Sequence, residues 1–322
     1  MTRYGQEISI AVALALLLGV LAAVAPGFFS RENLADLLLA NVPVLIIGLG
    51  MTLVILTGEI DVSVGSMFAI CGVVAGEVAK ASGSILWAVV AAIAVGAVLG
   101  LVNGGLVAYV RIPSIVVTLA TMTAWRSGLR WTMQGQWVDN LPANFQWFGL
   151  PQTGFRVAAL AITLSLVALT AWGLWRWRAG RALYATGSNR EAARVAGLNT
   201  PAIIASVFVL IGVLTGLAAA LDAARFNQVP SNAGIGLELT VIAAVVVGGT
   251  SITGGRGSVA GTVLGVALLG VIAPALIFLG VSGYWGDAVQ GAIILIAIGL
   301  EAVRIRAARQ GLRGAGVAAA GA

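Results

Sequence analysis

A run of about 20 apolar residues is long enough to cross the hydrocarbon core of a bilayer as a helix, and this chain supplies such runs repeatedly. Candidate spans cover 8–25, 37–56, 62–79, 85–109, 113–131, 157–175, 202–221, 237–253, 259–279 and 285–302. In lipid, each backbone N–H and C=O must be satisfied within the segment, which makes the helix the natural form for such windows. The expected fold is therefore an all-α polytopic membrane protein with about ten transmembrane helices. Composition agrees, because 9% of the residues are charged, against about 25% in a soluble domain.

Breakers fall at the expected joins: Pro26-Gly27, Thr57-Gly58, Ser82-Gly83, Pro113, Pro201 and the run Gly254–Gly257. Pro43 and Pro274 lie within spans and are expected to kink them, and Arg126 and Arg130 shorten the fifth span. The stretch Ile8–Val24 is longer than a signal-peptide core and is read as an uncleaved first helix. An even span count places both termini on one side. If that side is the cytoplasm, it holds Arg3, Arg111, the cluster Arg176–Arg194, Arg256 and the C-terminal arginines, twelve basic residues against six opposite. The domain expectation is one transmembrane unit over 1–310, with a cytoplasmic loop at 176–201 and a disordered cytoplasmic tail over 311–322.

The net charge of +6 does not point to nucleic acid, because the arginines sit between apolar spans and not in a basic stripe with aromatics. Cys71 is the only cysteine and there is no histidine, so intrachain disulfides, cysteine metal sites, imidazole catalysis and His-ligated zinc are excluded.

Four stretches carry polar chemistry. In "ILTGEIDVSVGSM" (Ile55–Met67), Glu59 and Asp61 interrupt a greasy run with no basic residue near in sequence. At the bilayer centre each would cost about 2.5–3.5 kcal/mol. They read as a transport site, a proton relay or the polar lip of a hairpin at the membrane edge, where Asp61 or Ser63 would cap the following helix. In the loop Arg176–Ala202, Ser188-Asn189-Arg190-Glu191 has capping-box spacing, with Ser188 as cap and Glu191 reaching back. Gly197 then supplies a stop and Thr200-Pro201 starts the next span. The enclosed helix of about eight residues is too short to persist alone, so its Ala192/Ala193/Ala196 face suits docking on a partner, or else belongs to an ordered interfacial loop.

The third stretch holds Gly248, Gly249, Gly254, Gly255 and Gly257. Its Gly249-to-Gly254 spacing matches a phosphate loop, but Gly255-Arg256 replaces the required Lys-Ser/Thr between membrane helices. It reads as a close-packed helix reversal. The motifs Gly96-xxx-Gly100 and Gly261-xxx-Gly265 likewise favour close helix approach. The fourth stretch, Trp131–Gly154, presents Trp131, Trp137, Phe145, Trp147 and Phe148, for a sugar ring or for the aromatic belt of a membrane interface. The in-span polar residues Asn41, Asn103, Thr118, Thr121 and Glu238 read as a pathway lining or as interhelical hydrogen-bond glue.

Together "GMTLVILTGEIDVSVGS" (Gly50–Ser66), "NGGLVAYVRIPSIVVTLATMTAWRSG" (Asn103–Gly128) and "IAAVVVGGTSITGGRGSVAGTVLG" (Ile242–Gly265) resemble the ribose/xylose/galactofuranose-type permeases of bacterial ABC sugar importers, in matching order from Phe28 to Glu301. "DNLPANFQWFGL" is similar to rhamnose or autoinducer-2 relatives. The resemblance implies a multi-pass inner-membrane permease that pairs with a second copy or a related permease. Two cytoplasmic ATPase subunits using ATP and Mg, and a periplasmic sugar-binding protein, would complete the assembly, leaving this chain without a cofactor. "EAARVAG" (Glu191–Gly197) resembles the EAA-xxx-Gly signature, which implies ATPase coupling through Gly187, Ser188, Asn189, Glu191, Ala192, Ala193, Ala196 and Gly197. The expected pathway comprises Glu59, Asp61, Asn103, Thr118, Thr121 and Glu238. The chain departs from its relatives at Gly58-Glu59, where two glycines are common, and at Ala273-Pro274-Ala275. The competing reading is an ion-coupled carrier or channel using Glu59, Asp61 or Glu238.

Overall fold

The runs between breakers become helices in the computed structural model, which describes residues 5–282 together with 285, 286, 288, 289, 291, 292, 295 and 299. The tail 311–322 and most of the expected 285–302 span lie outside the described residues. The helices are α1 (Gly5–Val24), α2 (Arg31–Ala40), α3 (Val42–Leu56), α4 (Val64–Ser82), α5 (Ile85–Ala108), α6 (Ser114–Met133), α7 (Gln152–Arg176), α8 (Arg178–Ser188), α9 (Arg190–Val195), α10 (Thr200–Phe226), α11 (Leu237–Val247) and α12 (Val259–Phe278). Among the described residues the one extended pairing is Val138 with Val229, bonded both ways at 2.9 Å.

Seven helical segments among the described residues are long and apolar enough to cross a membrane: α1, α2 with α3, α4, α5, α7, α10 and α12. The expected 113–131 span is the helix α6, but its arginines keep it out of that set; Arg126 instead donates from Nη1 to the Ala233 carbonyl at 2.6 Å. The expected 237–253 span is corrected. α11 ends after 11 residues, a rise of about 16 Å against a core of about 30 Å, and the rest is glycine turn. Pro43 does not kink a continuous helix either: it sits in the first turn of α3, after a break at Asn41. There Asn41 donates from Nδ2 to the Leu37 carbonyl at 2.8 Å, and its side chain packs against Gly270. Pro274 does lie inside α12.

Both GxxxG motifs mark backbone-to-backbone contacts. Gly96 and Gly100 of α5 press on Gly212 and Phe208 of α10, while Gly261 and Gly265 of α12 press on Gly248 and Ala244. A methyl at Gly96 would overlap the Gly212 carbonyl, whereas one at Gly105, on the same helix, meets nothing within 4 Å. Gly96→Ala is thus expected to destabilise the chain by at least about 1–3 kcal/mol, and Gly105→Ala to stabilise it by up to about 1 kcal/mol. Thermal melting of the two variants in detergent gives the comparison, and equal melting temperatures would refute the packing argument.

The aromatic loop divides. Phe145 and Phe155 are buried with Phe148 set edge-on to each at 5.8 Å, whereas Trp131 and Trp137 are exposed. Phe145 is a core residue and presents no ring to a ligand.

Candidate functional site

Three loops meet at one end of the bundle: the α3–α4 turn, the α8–α9 junction and the α11–α12 glycine turn. Gly187 makes the meeting possible, because a Cβ there would overlap the Leu56 carbonyl and lie 2.6 Å from the Gly255 nitrogen. Gly255 N–H donates to that same Leu56 carbonyl at 3.0 Å. Gly254, with φ 82°, leaves room for only 2.8 Å between a Cβ and the Gly58 nitrogen. Gly255 is packed on Ser188, Gly257 on Thr250, and Tyr184 of α8 donates its hydroxyl to the Gly257 carbonyl at 2.8 Å. Gly248 meets Gly261 at the start of α12, and Gly249 (φ 95°) turns the chain out of α11. These glycines turn the chain between α11 and α12.

The helix cap is corrected by one residue. Ser188 ends α8, and it is Asn189 whose Oδ1 accepts from Ala192 N–H at 2.9 Å at the head of α9. Glu191 does not reach back; it pairs with Arg194 at 2.7 Å. The distinction matters because Asn189 is extended (φ −160°) and separates two helices, where a Ser188 cap implied one. α9 has six residues, and it ends as predicted. Gly197 (φ 85°) donates to the Arg194 carbonyl at 3.0 Å and Leu198 to the Ala193 carbonyl at 3.0 Å, a Schellman stop. Asn199 then caps α10, with Pro201 in its first turn. Of the alanine face, Ala193 is buried, while Ala192 and Ala196 are exposed.

Glu59 has a partner that its sequence neighbours do not reveal. Its Oε1 is ion-paired to Arg190 Nη2, the first residue of α9; the Glu59 side chain is 10% exposed and that of Arg190 50%. The pair lines a cavity of about 530 Å³ with Gly58, Arg111, Glu191 and Arg194. Two residues on, Asp61 is fully buried and does not cap α4: its Oδ1 accepts from Ser63 N–H at 2.8 Å and Ser63 Oγ–H at 2.6 Å. Asn103 of α5 donates to Ser63 Oγ at 2.8 Å. Burial raises the Asp61 carboxyl above the usual carboxylate range, opposed by its bonds to Ser63 and by the nearby Asn103 amide. Asp61 Oδ2 and Asn103 Oδ1 are buried with no hydrogen-bond partner. Ile60 N–H donates to Ser114 Oγ at 3.2 Å, and Thr118 donates to the Ser114 carbonyl at 2.8 Å. The turn is thus tied to α5 and α6 as well as α9.

The remaining pathway candidates stand apart. Thr121 donates to the Val117 carbonyl of its own helix at 3.0 Å, a local bond that explains it without a ligand. Glu238 opens α11, where its Oε1 accepts from Gly236 N–H at 3.3 Å and its Oε2 is buried without a hydrogen-bond partner. A second cavity of about 550 Å³ lies beside this helix start, lined by Pro43, Phe68, Asp222, Gly236, Leu239 and Thr240 among others. Asp222 was missed in the sequence reading; the available signal was one carboxylate in the apolar run Thr200–Phe226.

Apolar helices of bilayer length, a helix of half that length and polar loops locked at one end are those of a multi-pass membrane protein. The chain belongs to the family described as "Branched-chain amino acid transport system / permease component", whose model matches residues 33–298. It is 39% identical over 291 residues to the autoinducer 2 import system permease protein LsrC of Escherichia coli O9:H4 (strain HS), covering 88% of this chain and 84% of that protein. To the ribose import permease protein RbsC of Escherichia coli (strain K12) it is 38% identical over 292 residues, covering 89% and 91%. No solved structure matches the chain. Membership makes it a transport subunit of the inner membrane.

Proposed function

We propose that this chain is the membrane-spanning subunit of an ATP-driven importer for a monosaccharide or similar polyol-like solute. A periplasmic binding protein would deliver the solute, and separate ATPase subunits would hydrolyse ATP with Mg. A second copy or a related permease would complete the pathway. The family description speaks of branched-chain amino acids, but relatives matched over about nine-tenths of the chain are named for ribose and autoinducer 2, which favours a polyhydroxylated solute.

The observation that carries the coupling role is the fixed α8–α9 unit. A six-residue helix is not stable alone, yet α9 is capped by Asn189, stopped by Gly197 and bound to the α3–α4 turn through Arg190–Glu59. Its exposed side carries Glu191, Ala192 and Arg194. In this reading that end is cytoplasmic, as its arginines favour, and the ATPase pushes on α9. The push passes to α3, α5 and α11 through Leu56, Asn103 and the glycine turn, a rigid-element switch.

Reconstitution tests the assignment. Uptake should require the ATPase, ATP and the binding protein, and uptake by the chain alone driven by a proton or sodium gradient would sink it. Glu191→Arg, which inverts a charge on the exposed side of α9 (side chain 70% exposed), should leave insertion intact and lower sugar-stimulated ATP hydrolysis by about tenfold, equivalent to about 1.4 kcal/mol of coupling.

A further inference from the structure

An ionisable group within a membrane helix that satisfies no protein partner calls for a functional explanation. Glu59, Asp61 and Glu238 each hold protein hydrogen bonds. Asp222 differs: among the described residues it makes no hydrogen bond, and Arg225, one turn on, acts on it by charge but forms no salt bridge with it and lies over the Phe226 ring, 4.8 Å from its centroid. Its carboxylate lines the cavity of about 550 Å³, a volume inside the roughly 300–1,000 Å³ typical of small-molecule sites.

The lining discriminates among ligand charges. Asp222 offers acceptor oxygens only, which disfavours anions. The first turn of α11 also lines the cavity through Gly236, Leu237, Leu239 and Thr240, and Glu238 in that turn offsets the positive end of the helix. A hydroxyl can donate to Asp222, and the importer reading, with relatives named for ribose and autoinducer 2, favours a neutral hydroxyl-bearing ligand over a cation. Phe68, Pro43 and Leu239 add apolar wall, suited to the C–H face of a sugar ring. Gly236, with φ 80°, bends the chain into α11.

We propose that this cavity is a binding station for one neutral polyhydroxylated solute on its way through the membrane, with Asp222 accepting the ligand's hydroxyl hydrogens. The inference rests on the importer reading and assigns the site within it.

The test uses the full chain assembled with its ATPase and binding protein in proteoliposomes, carrying Cys71→Ala and Thr240→Cys. Modification of the introduced thiol by a methanethiosulfonate reagent is timed with ribose, xylose, galactose or rhamnose, with ribose 5-phosphate, and with sodium in place of potassium. At least one neutral sugar should slow modification by about fivefold, as mass action gives when ligand exceeds its Kd about fourfold. Ribose 5-phosphate and sodium should not. Adding Asp222→Leu should abolish the protection and leave the introduced thiol open to the reagent, which reports that the cavity is still formed. Protection by sodium or by the sugar phosphate alone, no protection by any neutral sugar, or protection that survives Asp222→Leu would each overturn the proposal. ATP-driven uptake measured in the same vesicles reads the importer assignment separately: uptake without protection discards the station and keeps the importer.

Discussion

A Gly187→Val chain is expected to reach the membrane in normal amount and to lose at least about tenfold of its sugar-stimulated ATP hydrolysis, a coupling loss of about 1.4 kcal/mol or more. The reason is what surrounds Gly187. A Cβ would overlap the Leu56 carbonyl and lie 2.6 Å from the Gly255 nitrogen and 2.9 Å from the Leu56 carbonyl carbon. These atoms are backbone and cannot rotate aside as a side chain would. Relief requires α8 to lift from the α3–α4 turn, and overpacking of this kind costs about 1–3 kcal/mol. The long apolar helices are untouched, so insertion should survive. Gly197→Ala is the matched control: nothing lies within 4 Å, and the cost is the positive φ of 85° alone, about 1–2 kcal/mol, paid in local helix ending and not in lost contact. Its coupling defect should be clearly the smaller. The measurement is ATPase activity of the assembled importer with and without sugar-loaded binding protein, beside its melting temperature. Wild-type stimulation in Gly187→Val would show that the α8–Leu56 contact transmits nothing.

Apolar length was legible because it is a local property: helices α1, α4, α5, α7, α10 and α12 follow from runs that can be counted. What could not be counted was where a run contains a half-helix. Residues 237–253 are mostly apolar, but Gly248 and Gly249 end α11 after Val247, and the packing of Gly248 on Gly261 explains why the chain turns there. The cap was off by one for a related reason. Ser188 and Asn189 are both good caps, and the choice fell to Asn189 because Ser188 is held in α8 against Gly255. Asp61 or Ser63 was expected to cap α4; Ser63 holds the cap position without a side-chain cap bond, and Asp61 accepts from Ser63, whose hydroxyl also receives Asn103 from 40 positions away. Each miss concerns a residue whose environment is made by another element.

Glu59 is the clearest such case, and it supports the second large effect. Alone in sequence it had no counter-charge; in the fold, Arg190 stands beside it. A hydrogen bond to a charged group contributes about 1.5–3 kcal/mol, and losing one partner of a buried pair costs more than the pair contributes, because the other charge stays buried. The pair is asymmetric: Glu59 is 10% exposed and Arg190 50%. Arg190→Glu should therefore be the most damaging single change, placing two carboxylates together, with a loss of at least about tenfold in sugar-stimulated ATP hydrolysis. Glu59→Arg should be comparable, setting two guanidiniums against each other beside Arg111 and Arg194 in the same cavity. Glu59→Gln, which keeps the shape and one acceptor, should lose less. The decisive chain carries both reversals. If the pair links α9 to the α3–α4 turn, Glu59→Arg with Arg190→Glu restores coupling to within about threefold of wild type, an interaction of about 2 kcal/mol or more in the double-mutant cycle. If instead Glu59 is only the polar edge of a turn, Glu59→Gly leaves uptake unchanged and the two reversals add independently.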